Sequence, residues 1–157
     1  MAITSSAAAL LHVALEDLHA GKRAQVDRLP GIAGRCADPV LAQLLRDEAA
    51  RVAAQADRIR AAAPNLGNPA NLWIDGILDD AERDTRQTEP GRLLDIALVG
   101  AIRKAKAAEI VAAETAMALA AQHDLADLHA VVAANRAEEI TTDHSLRERL
   151  AALTGTL

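Results

Sequence analysis

The sequence has no phenylalanine and no tyrosine, and its one tryptophan is Trp73. It therefore lacks the aromatic platforms on which single-stranded nucleic acids stack. Cys36 is the only cysteine, so no intrachain disulfide can form and a reducing compartment is acceptable. As one thiol among helix formers, it reads as a small hydrophobe. Positive charge is in deficit, with a formal net charge of -5, and a phosphate-binding surface needs clustered Lys and Arg. No run approaches the roughly 18 apolar residues of a membrane span. The opening residues have no basic segment and soon reach Glu16 and Asp17, which is unlike a secretory signal. The expectation is a cytoplasmic protein with neither nucleic acid nor membrane as partner.

Alanine dominates what is there, in company with Leu, Arg, Glu and Gln, while β-branched residues are sparse. Ala is the strongest helix former, so an all-α chain is expected before any periodicity is considered. Its small side chain also allows close helix approach. A length of 157 residues suits a single domain over 1–157 with one substantial core.

Helical spacing of Leu11, Leu15, Leu18, Val26 and Leu29 defines the first segment, with Ser5 or Ser6 as its cap. Pro30 and Gly31 should kink or loosen its end. Asp38 followed by Pro39 is a helix start, and Leu41, Leu44, Leu45, Val52 and Ile59 carry the next stripe to about Ala63. Residues 64–90 hold most of the prolines and an acidic run. They read as a crossover containing a short helix whose Trp73, Ile74 and Ile77 lie over one end of the bundle, with Trp73 as a lid. Further helices are expected over Arg92–Gln122 and Asp124–Leu153, with His123 placed favourably at a helix C-terminus. Short turns at Gly34–Asp38 and at His123 make two antiparallel hairpins joined by the long connection, an antiparallel four-helix bundle.

Each of the four stripes is interrupted by charge. Lys22 sits between Leu18 and Val26; Glu48 lies between Leu44 or Leu45 and Val52, with Arg51 three residues on. Lys106 and Glu109 follow Ile102, and Glu139 follows Val132 and Asn135, with Thr142 and Asp143 a turn later. Any one of these could be a boundary residue that snorkels to water. Together they form a layer near mid-helix, where bundles build cofactor sites.

These positions carry a resemblance. ALEDLHAGKRA followed by LPGIAGRCADPVL, then EAARVAAQ, KAAEIVA and EEITTDHSL, in that order, resemble the YciF-type ferritin-like family of bacterial stress-associated proteins (YciE/YciF). Asp17, Leu18, Leu29, Pro30, Pro39, Leu41, Gln55, Glu109, Ile110, Glu138, Glu139, Asp143 and Leu146 match the family pattern. Five positions depart from it: Lys22 and Lys106 replace glutamates, Glu48 replaces a histidine, Arg51 a carboxylate, and Ala107 a histidine.

The resemblance implies a ferritin-like fold whose carboxylates and histidines clasp two ions, and a dimer as the frequent oligomeric state. The substitutions imply a degenerate site. A lysine charge about 4 Å from a divalent ion at an effective dielectric of 20 costs about 8 kcal/mol. Lys22, Arg51 and Lys106 should instead neutralise Glu48, Glu109, Glu139 and Asp143 in a metal-free network, with no cofactor. Such a network need not add stability, but it can fix helix register.

This favours a non-catalytic, stress-associated bundle acting through self-association or an unknown protein partner. Two other readings stand beside it. One is a residual mono- or di-metal protein (Fe, Mn or Zn) with oxidase or peroxide-related activity. It would use Glu109, Glu139 and Asp143, with Glu48 in a di-metal set or a histidine such as His144 or His19 in a mononuclear one. The other is a metal-free enzyme with Lys22 or Lys106 as amine nucleophile. No motif of a standard enzyme class is present.

Overall fold

The computed structural model describes residues 3–155. Five helices account for most of them: α1 (Ala7–Ala33), α2 (Pro39–Ala62), α3 (Leu72–Gln87), α4 (Arg92–Gln122) and α5 (Ala126–Thr154), and no strand occurs among the described residues. No helix is long and apolar enough to cross a membrane.

Local chemistry sets most of the ends. Ser6 caps α1 by accepting from the Ala9 N–H at 3.1 Å. Pro30 does not end α1, which runs on to Ala33 before Gly34, because a proline in the last turn forfeits only one hydrogen bond. Asp38 caps α2 with Pro39 in the first turn, where the missing N–H costs nothing. Asn71 caps α3 through the Ile74 N–H at 3.0 Å. Gly91 precedes α4 with φ +120°, a conformation that a Cβ would strain.

α1 pairs with α2, α4 pairs with α5, and α3 lies along α1 and α4. This last placement corrects the expected lid. The inward stripe of α3 is Ile74, Leu78, Ala81 and Thr85, so the helix runs down the flank of the bundle and does not cap its end. Trp73 lies about 100° round the helix from Ile74 and is 80% exposed. α1 accepts α3 at Gly21, where a Cβ would stand 2.8 Å from Asn71 Nδ2 and 3.0 Å from Ile74 Cγ1.

The interior is divided. One apolar core holds Leu29, Leu41, Leu45, Ile74, Leu98 and Leu146, among others. The second holds Leu11, Leu15, Leu18, Ile59, Ala116 and Val132. The buried polar residues Lys22, Gln55, Glu48, Lys106, Glu109 and Glu139 fall in sequence between the members of these two cores on their own helices, so the charged layer separates them.

At the Leu29 end, the buried Asp95 of α4 accepts from the Ala37 and Asp38 N–H groups at 2.9 Å each, and Asp38 is in turn held by Arg149 of α5. This ties the α1–α2 turn to the second hairpin. Removing an acceptor from a buried donor costs about 1–3 kcal/mol, and less from donors that water can reach, as at this part-buried turn. We expect Asp95→Ala to lower stability by about 1–2 kcal/mol, read as a fall in the urea midpoint, with Asp95→Asn losing less because one acceptor oxygen remains. Equal midpoints for Asp95→Ala and the parent would show the turn to be held elsewhere.

Candidate functional site

The site is the polar layer. Lys22 from α1, Glu48 and Gln55 from α2, Lys106 and Glu109 from α4, and Glu139 from α5 are all buried. Spacings of three residues recur in the two hairpins. Lys22 and Gln25 correspond to Lys106 and Glu109, and Glu48 and Arg51 to Glu139 and Thr142. Such pairs share one side of a helix, so each hairpin presents the same frame inward.

Lys106 is the hub. It is wholly buried, and its Nζ lies 2.6 Å from Glu48 Oε1, 2.6 Å from Glu139 Oε2 and 2.9 Å from Glu109 Oε2. Lys22 Nζ donates to Gln55 Oε1 at 2.6 Å and Glu109 Oε1 at 2.9 Å, and stands 3.8 Å from Glu139 Oε1. Glu109 thus bridges the two ammonium groups, one through each oxygen. Glu48 Oε2 accepts from the Thr142 hydroxyl at 2.7 Å and from Arg51 Nη1 at 2.8 Å, and the same Arg51 nitrogen donates to Thr142 Oγ1 at 2.8 Å. Arg51 closes the layer at its edge, where its side chain is 38% exposed.

Burial opposes the charge of Lys106, but Glu109, Glu139 and Glu48 more than offset it and raise its pKa. Burial likewise opposes ionisation of Glu109, yet Lys106 and Lys22 hold it well below the usual carboxylate range. Glu139 goes the other way. Burial and then the neighbouring Glu109 push its pKa up to about 8. Its oxygens approach the lysines but accept no well-directed hydrogen bond from them. Lys22, Lys106 and Arg51 face Glu48, Glu109 and Glu139 in the layer, and Glu139 is the carboxyl that takes up a proton most readily.

The shifts set the pH dependence. The raised Glu139 favours its neutral form in the fold, so its contribution is present below the unfolded range near 4.3 and is lost as pH rises through about 8. Glu109 contributes above its unfolded range and loses that only in acid, and Lys106 loses its contribution only above the ordinary lysine range. Stability should therefore decline between about pH 4 and 8, the interval from the unfolded to the folded value of Glu139. Glu139→Gln should flatten the decline in urea denaturation at several pH values; an unchanged slope in that variant would remove Glu139 as its cause.

Of the residues expected in the layer, Lys22, Glu48, Arg51, Lys106, Glu109 and Glu139 come together and Asp143 does not. Asp143 is 29% exposed and pairs with Arg103 of α4 at 2.8 Å. Its neighbour Thr142 takes the inward place. Both residues lie within one turn of Glu139, but Arg103 draws the carboxylate outward while Glu48 and Arg51 hold the hydroxyl. His144 is exposed beside Glu148. His19 is buried among Arg60, Arg23 and Asp57, and burial lowers its pKa.

Sequence reasoning gave no place in the layer to Gln55, Gln25 or the flanking Arg58. Gln55 Nε2 and Arg58 Nη2 both donate to Glu138 Oε2, at 2.9 and 2.6 Å, and Arg58 Nε donates to Asn135 Oδ1 at 3.0 Å. The signal was available: Gln55 interrupts the stripe between Val52 and Ile59, and Gln25 follows Lys22 by three residues.

The layer offers little to nucleophilic chemistry, since Glu109, Glu139 and Glu48 hold the Lys106 amine protonated. The half-buried Cys36 has its thiol pushed up to about 12 by burial and by Asp95 and Asp38, so it is no thiolate at neutral pH.

The sequence profile of a family described as a domain of unknown function, DUF892, matches residues 6–156. The chain belongs to the DUF892 family. No curated protein matches it. Among solved structures, the stress protein YciF of E. coli is similar, with a TM-score of 0.92 and 20% identity over 98% of this chain and 99% of that one. YcfI from Rhodopseudomonas palustris is similar with a TM-score of 0.88 and 20% identity, over 92% of this chain and 94% of that one. The fold of this DUF892 chain is thus YciF-like and ferritin-like, with α3 as the helix of its crossover.

The ions that a ferritin-like fold implies do not fit this donor set. Ammonium nitrogens stand 2.6–2.9 Å from the carboxylate oxygens that would be ligands. Among the described residues no group of three or more His, Cys, Asp or Glu is arranged to hold an ion.

Proposed function

We propose that this DUF892 chain is a non-catalytic, stress-associated bundle in which fixed charges take the place of two metal ions, and that it acts by self-association or through a protein partner. The observation that carries the reading is Lys106, wholly buried with three carboxyl groups within 2.9 Å. A divalent ion would have to displace that ammonium group or bind beside it, and the repulsion at such a distance outweighs ordinary metal affinity. The association with stress comes from the similarity to YciF, a stress protein by name.

A buried ion pair is weak evidence of added stability, but it sets geometry well. Each carboxylate in this layer satisfies cations from different helices, so a slip of one helix by a turn would strand charges in both hairpins. The layer's work is register, which leaves the outer faces to carry function.

The test is elemental analysis of native protein purified without chelator, followed by analytical ultracentrifugation. No stoichiometric metal and a defined oligomer are expected. One or two ions per chain, lost on Glu48→Ala or Glu139→Ala, would sink the reading in favour of a residual metal protein.

A further inference from the structure

Trp73 is the one aromatic side chain of the protein, and the fold leaves it 80% exposed beside Leu72, itself 82% exposed. It forms a wall of a groove of about 520 Å³ between α1, α3 and α4, whose other apolar surfaces include Leu18, Ile74, Ala108, Val111 and Ala112. That volume is within the range of small-molecule sites, which pair apolar walls with a few polar groups.

The polar groups of this lining are nearly all spent. Glu109 gives both oxygens to Lys22 and Lys106. Asn71 gives its amide N–H to the Asp17 carbonyl and its oxygen to the Ile74 N–H. The Asp17 carboxylate remains. It makes no hydrogen bond or ion pair with any described residue, and no Lys or Arg lines the groove. Partial burial and then Glu16 raise the Asp17 pKa, as expected of an acid without a counterion.

We propose that this groove binds a protonated amine carrying a compact apolar or aromatic body, its ammonium group held between the Asp17 carboxylate and the Trp73 indole. The face of an indole attracts cations, and an ammonium–carboxylate hydrogen bond is charge-assisted. The apolar body covers Ala108, Val111 and Ala112. An anion would meet Asp17 with no base in the lining, and a neutral body of the same shape would leave Asp17 unpaired. The groove borders the charged layer at Glu109 but uses neither of its oxygens, and the inference does not depend on whether the layer binds metal.

Because Trp73 is the sole tryptophan and tyrosine is absent, indole fluorescence reports ligands that reach this side chain, and Asp17→Asn separates the groove from the hollow that Trp73 also borders with Leu72, Gly76, Ile77 and Asp80. The full chain is titrated at neutral pH with 2-phenylethylamine, and in parallel with 2-phenylethanol and 3-phenylpropionate. A saturable shift is expected with the amine, binding at least about tenfold weaker for the alcohol, and no binding of the carboxylate. Asp17→Asn, on an exposed rim, should bring the amine down to the affinity of the alcohol and leave the alcohol unchanged. Equal affinity for amine and alcohol, no saturable change with the amine, or no effect of Asp17→Asn overturns the proposal. So does Trp73 emission that shifts with protein concentration alone, since the groove would then be covered by a second copy.

Discussion

Lys106→Met is expected to lower stability by about 3–5 kcal/mol, the range for removing one partner of a buried ion pair. For a chain of this length that corresponds to a fall in melting temperature of roughly 6–20 °C. Methionine keeps nearly the length and volume of the lysine stem, so little of the loss comes from a cavity. It comes from Glu48, Glu109 and Glu139, each of which loses an ammonium group 2.6–2.9 Å away with no water to replace it. Two internal comparisons separate this cause from general damage. Arg51→Ala, at the half-exposed edge of the same layer, should cost much less because solvent takes over. Lys106→Met should also regain stability as pH falls, since the acids can then become neutral in place. A variant that melts within about 1 kcal/mol of the parent would mean that the layer is hydrated and its charges are not a network.

The bundle was legible because its causes are local. Alanine-rich stripes, Ser6, Asp38 with Pro39, and the break at His123 all act within a few residues, and α1, α2, α4 and α5 fall close to the expected ranges. The charged layer was legible for a related reason: Lys22, Glu48, Lys106 and Glu139 interrupt stripes at the same height in four helices, and mid-bundle charge has nowhere else to go.

What escaped the sequence was choice between near-equivalent positions. Thr142 and Asp143 both fall on the inward arc of α5, and the decision belongs to Arg103 on another helix, 40 residues away in sequence. Trp73 and Ile74 are adjacent, and the sequence offers both to the bundle. The stripe of α3 selects Ile74, because Leu78 and Ala81 share its face and Trp73 does not. Asp95 looks like an ordinary first-turn acid of α4; only the fold shows that it receives two N–H groups from the α1–α2 turn.

The double substitution Lys22→Glu with Lys106→Glu tests the layer from the opposite side. It removes two ammonium groups and adds two carboxyls where Glu48, Glu109 and Glu139 already converge, so at neutral pH the metal-free variant should lose more stability than Lys106→Met and be largely unfolded. Divalent Mn, Fe or Zn should then restore the fold, because ligation by the native state alone stabilises it by about 2.7 kcal/mol at a free concentration a hundred times the dissociation constant, and by about 4.1 kcal/mol at a thousand times. The parent chain should melt at the same temperature with and without the ions. Helical circular dichroism against temperature, with and without each ion, reads both arms. The restored fold would place the two lysine nitrogens where a di-metal centre would stand, since only carboxyls that close on one point gain enough from an ion to refold the chain. A variant that stays unfolded at every ion, while Lys106→Met remains folded, would show that the five acids surround the layer without converging. The exchange of ammonium groups for cations would then fail as an account of why these helices carry charge in their core.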